Sequence, residues 1–136
     1  MTTSGWIRTY AVSLASFLLL DMVWLGLVAR SFYRSQLGNM LASDVRWLPA
    51  VLFYMLFVAA ILVFAVVPAV QQQSAGRAAL LGAFFGLVAY AAYDLTNLAT
   101  MEGFPVVVAV VDMTWGSVLS ASVATVGYLV ASRGAP

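Results

Sequence analysis

The chain is expected to be an all-α integral membrane four-helix bundle, and three observations lead there. Its 136 residues are 64% hydrophobic and 8% charged, outside the range of water-soluble domains. Four apolar runs are each long enough to cross a hydrocarbon core, which takes about 20 helical residues at about 1.5 Å each. The charged residues inside those runs are all acids: Asp21, Asp94 and Asp112. A single transmembrane domain is expected over 1–136, with spans at about 10–29, 48–70, 78–100 and 105–131.

The first run follows a lone Arg8 and ends without a small-residue cleavage pattern, so a retained span is expected rather than a signal peptide. Trp6 and Tyr10 would border it at one membrane face, called face A, with Phe32 and Tyr33 at the other, face B. From Arg30 to Arg46, apolar residues such as Phe32, Leu37 and Leu41 are interspersed with polar ones. This stretch reads either as an amphipathic segment in the face B interface or as an ordinary loop. Trp47 and Pro49 open the second span, because a proline in the first turn loses no needed hydrogen bond, and Pro68 is expected to close it. Gln71 to Arg77 then make a polar turn. The third span ends in the tight connection Met101-Glu102-Gly103-Phe104 before Pro105, which makes the third and fourth spans antiparallel neighbours. Residues 132–136 would form a short tail at face A.

Charge and composition exclude several chemistries. All six cations are Arg outside the apolar runs and the net charge is +1, which leaves no basic surface for nucleic acid. There is no Cys, hence no disulfide, thiolate metal site or cysteine nucleophile. There is no His, hence no imidazole ligand and no Ser–His–Asp triad. No cofactor is expected, and a divalent cation is disfavoured because closely spaced carboxylate pairs are missing. Arg8, Arg77 and Arg133 at face A balance Arg30, Arg34 and Arg46 at face B. By the positive-inside rule this tie leaves orientation open. It is compatible with a chain that inserts both ways and pairs as an antiparallel homodimer, and equally with one fixed topology.

Each intramembrane acid costs roughly 2.5–3.5 kcal/mol on insertion scales. Counted along their helices, Asp21, Asp94 and Asp112 lie about 12, 9 and 10 Å from face B, a shared depth. Gly82, Gly86, Tyr90, Asp94 and Asn97 recur at steps of four, four, four and three, which puts them in one stripe whose small residues admit a close neighbour. Asp112, Gly116, Ser120 and Gly127 make a comparable stripe on the fourth span. Asp21-Met22-Val23-Trp24 is echoed by Asp112-Met113-Thr114-Trp115, and in each the acid and indole share a helix face. An indole N–H can donate to a carboxylate. With no cation inside the spans, shared protons are the expected means of neutralising the acids.

Asp21, Trp24 and Leu25, then Phe32-Tyr33-Arg34, Phe53-Tyr54, the run Tyr93-Asp94-Leu95-Thr96-Asn97-Leu98-Ala99-Thr100, and Asp112 with Trp115-Gly116 together resemble an uncharacterised family of small bacterial four-helix membrane proteins, domain of unknown function 2177. The resemblance spans nearly the whole chain, and the third-span run is its most specific part. It implies four helices and a multi-pass location in the bacterial inner (cytoplasmic) membrane, without an activity.

Three functional readings stay open. In the first, the chain binds or processes a lipid-like or isoprenoid small molecule in a carboxylate-lined intramembrane pocket. Asp21, Asp94 and Asp112 are then the candidate catalytic acids and bases. Trp24, Tyr54, Tyr90, Tyr93, Thr96, Asn97 and Trp115 are the candidate substrate-binding residues. In the second, a proton-coupled exporter exchanges a carboxyl proton for a cationic small molecule, with Trp24 and Trp115 as an aromatic wall. In the third, the polar groups serve helix packing in an accessory or assembly subunit.

Overall fold

A computed structural model describes residues 2–41 and 44–133. Four helices in it are long and apolar enough to cross a membrane: Thr3–Val28, Trp47–Gln71, Ala75–Thr100 and Val106–Arg133. They are referred to as the first to fourth spans. A short helix, Arg30–Leu37, lies between the first and second. The expected tail is helical through Arg133, and positions 134–136 lie outside the described residues.

Helix starts follow capping chemistry. Thr2 accepts a hydrogen bond from the Gly5 amide at 3.1 Å, so the first span begins well before Tyr10. Ser74 accepts from the Arg77 amide at 3.0 Å and starts the third span at Ala75, inside the expected turn. Each side chain satisfies an amide that the helix itself leaves free. After Thr100 the chain reverses at Gly103, whose φ of +78° is strained for residues with a Cβ. That short reversal sets the third and fourth spans side by side as the most extensively packed pair.

Pro68 does not close the second span. The helix widens to a π-turn over Leu62–Val66 and continues through Pro68 to Gln71. A wider turn accommodates the ring and missing N–H that would otherwise break the ladder. A second π-turn, Trp24–Val28, ends the first span, closed by the Ala29 amide on the Trp24 carbonyl at 2.7 Å.

The fourth span is central and packs against both the first and the third. Small residues permit this. A Cβ on Gly82 would stand 2.6 Å from the Ser120 carbonyl oxygen and 2.7 Å from Ala124 Cβ. One on Gly86 would collide with the Gly116 carbonyl and the Ser120 side chain. The core then fills with Phe17, Phe57, Val58, Ile61, Leu119 and Val123. Outward faces carry large apolar side chains such as Leu19, Leu56, Phe84 and Val110, which suits helices solvated by lipid.

Tyr10, expected in the aromatic belt at face A, turns toward a neighbouring helix. It packs against the core and donates its hydroxyl to the Met55 carbonyl of the second span at 2.9 Å. An aromatic near a span end satisfies the belt pattern in sequence whether it faces the interface or a neighbouring helix.

Candidate functional site

The two Asp-x-x-Trp repeats do not close on themselves. Trp115 on the fourth span donates its indole N–H to Asp21 Oδ1 on the first, at 3.2 Å. Trp24 lies flat on Trp115, with centroids 4.6 Å apart and planes 8° from parallel. Its own N–H goes to the Tyr33 hydroxyl at 3.3 Å, and that hydroxyl donates to Asp112 Oδ1 at 2.8 Å. The chain of contacts therefore runs Asp21, Trp115, Trp24, Tyr33, Asp112. The first-span π-turn starts at Trp24, so the widened turn sits beside the stack, a common setting for such turns.

Asp94 is fully buried, and among the described residues neither of its carboxyl oxygens has a hydrogen-bonding partner. Its carboxyl adjoins that of Asp112. The close approach at Gly86 and Gly116 brings the third and fourth spans near enough for this, with the Tyr90 ring lying over Gly116. A buried carboxyl with no donor is costly unless it is neutral or paired.

Asp112 is only half-buried and forms a common wall of two cavities together with Tyr93. One, of about 340 Å³, lies under the short helix and is lined by Arg30, Tyr33, Arg34 and Leu37. Their spacing of three, one and three puts all four on one helix face. Over Arg30–Leu37 the stretch is helical rather than an ordinary loop, with this face turned to the cavity. The other cavity, of about 330 Å³, lies between the second and third spans against Phe53, Ala89 and Tyr90. Burial pushes the Tyr33 phenol above its ordinary range; the Trp24 N–H opposes the shift and the charge of Asp112 adds to it. Tyr33 therefore remains a hydrogen donor to Asp112 at neutral pH.

The remaining sequence-derived candidates fall into place unevenly. Tyr54 packs against the core, its ring 5.4 Å from Phe17. Thr96 is exposed, and its carbonyl accepts from the Thr100 hydroxyl. Asn97 is half-buried beside Tyr93. None of these three lines the two cavities around Asp112. Asp21 is buried at 6% exposure but engages Trp115. Among the described residues, no three acids converge closely enough to hold a metal ion. Sequence reasoning assigned Tyr33 to the aromatic belt and missed its bond to Asp112. The signal that could have found it is the spacing of Arg30, Tyr33, Arg34 and Leu37.

No curated protein and no solved structure matches the chain. A family model described as "Predicted membrane protein (DUF2177)" matches residues 6–129, which takes in the second and third spans, nearly all of the first and fourth, the short helix and every residue of the network. The chain is a multi-pass membrane protein and belongs to this family.

Proposed function

We propose that the chain is a bacterial inner-membrane protein that binds or processes a lipid-like or isoprenoid small molecule, with Asp94 and Asp112 as the working pair. The observation that carries this reading is the Asp94 carboxyl, fully buried, without a donor and beside a second carboxyl that opens on two cavities. Two adjacent carboxyls repel if both ionise, so a pair of this kind is suited to sharing one proton. Such a pair can give or take a proton at a molecule lying against Asp112. Asp21 contributes through Trp115 and the indole stack rather than from a cavity wall. A helix-packing role alone would call for hydroxyls or amides, which cost less in lipid than a donorless acid. The exporter reading uses the same proton, but Arg30 and Arg34 at the cavity mouth have the wrong sign for a cationic passenger.

Native mass spectrometry with lipid extraction tests the reading, comparing wild type with Asp94→Asn. A hydrophobic molecule retained by the wild type and lost from a folded Asp94→Asn variant is the expected result. Equal retention by both, or none by either, counts against the pocket.

A further inference from the structure

We propose that the bound molecule is an anionic lipid, its phosphate or carboxylate head held by Arg30 and Arg34 and its tail lying along Phe53, Ala89 and Tyr90. This rests on the pocket reading and names the chemical class of its ligand.

The short helix turns one face toward the first cavity, and on that face Arg30 and Arg34 are the charged donors. Tyr33, between them, already donates its hydroxyl hydrogen bond to Asp112, so the guanidinium groups are the charged donors that line the cavity. Two guanidiniums one helical turn apart present planar forks suited to oxyanions. Arg30 follows the end of the first span at Val28 by two residues, the depth at which lipid head groups lie. Asp112, on the same wall, already accepts the Tyr33 hydroxyl at 2.8 Å, and that hydrogen bond partly offsets its repulsion of an anion.

The second cavity supplies the other half of an amphiphile's chemistry. It shares Asp112 and Tyr93 with the first and continues against Phe53, Ala89 and Tyr90. Phe53 is 45% and Tyr93 58% exposed on the outer surface of the spans, so this cavity opens sideways to lipid. A single molecule with its head under the short helix and its tail between the second and third spans would pass directly over Asp112, the carboxyl that both cavities share. A free oxyanion would use only the arginine cavity and leave the apolar one without an occupant.

The test uses the full chain in micelles containing equimolar phosphatidylglycerol and phosphatidylcholine, read by native mass spectrometry. Arg30→Gln with Arg34→Gln removes the head-group donors. Arg77→Gln with Arg133→Gln removes the same charge from the opposite face. Preferential retention of phosphatidylglycerol by the wild type is expected, reduced roughly tenfold or more in the first double variant and unchanged in the second. Equal losses in the two double variants would overturn the site, since they report charge alone. Displacement of phosphatidylglycerol by inorganic phosphate would overturn the lipid as the source of the head group. Phosphatidylcholine retained as well as phosphatidylglycerol, and lost with Asp94→Asn, overturns the anionic class while leaving the pocket intact. No lipid of either kind overturns both.

Discussion

The indoles of Trp24 and Trp115 lie face to face, 4.6 Å between centroids and 8° from parallel. The stack joins two hydrogen bonds of different kinds. Trp115 holds Asp21 directly, whereas Trp24 reaches Asp112 only through Tyr33. The near-repeat in sequence is therefore asymmetric in space, and the asymmetry lets the short helix report on one acid and not the other.

Trp115→Phe keeps a ring on Trp24 but deletes the donor to Asp21. Because Asp21 is 6% exposed, the loss leaves a buried acceptor without its partner, at a cost of about 1–3 kcal/mol. Trp24→Phe removes a longer bond to a half-buried hydroxyl and should cost less. Denaturant or thermal unfolding in one detergent checks the order; equal costs would mean that the stack, rather than the Asp21 bond, dominates.

Tyr33→Phe should loosen the short helix without unfolding the spans. Its hydroxyl is the link between Arg30–Leu37 and Asp112. Amide exchange should quicken over Arg30–Leu37 and stay unchanged in the third span.

The same link has a predictable pH dependence. Burial raises the Tyr33 phenol above its ordinary range, so folding favours the neutral form. Its contribution is complete below about pH 10, where the free phenol titrates, and fades as pH rises above that. Protection of Arg30–Leu37 should be flat through neutral pH and fall only in strong alkali, as exchange measured across that range would show.

Gly86→Ala should separate the third and fourth spans, since its Cβ would meet the Gly116 carbonyl and Ser120. Overpacking of this kind costs about 1–3 kcal/mol or more. Gly26→Ala is the control: nothing lies within 4 Å of its added Cβ, and stability should hold or rise slightly. Unfolding midpoints of the two variants give the comparison.

Much of this arrangement was legible before any coordinates. Run length alone marks four spans, and the four-residue connection after Thr100 makes the third and fourth neighbours. The glycine stripe points Asp94 inward because steps of four repeat a helix face. What sequence could not show were partners between helices. Periodicity says that Trp115 shares a face with Asp112, but not that a neighbour's Asp21 accepts its N–H. Thr96 looked like part of the Asp94 cluster by adjacency, yet two residues along a helix is roughly 200° around it, and it faces outward. Pro68 looked like a terminator because a π-turn leaves no obvious mark in composition.

That Asp94 and Asp112 share a proton is the central claim of the proposal, and infrared spectroscopy reads it directly. Spectra of the purified protein at neutral pH should contain the carbonyl stretch of a protonated carboxylic acid in an apolar setting. That band should vanish in Asp94→Asn and shift when phosphatidylglycerol is added to the wild type. A wild-type spectrum with only ionised carboxylate bands, or a protonated band untouched by Asp94→Asn, would contradict the shared proton and with it the proposed chemistry of the pocket.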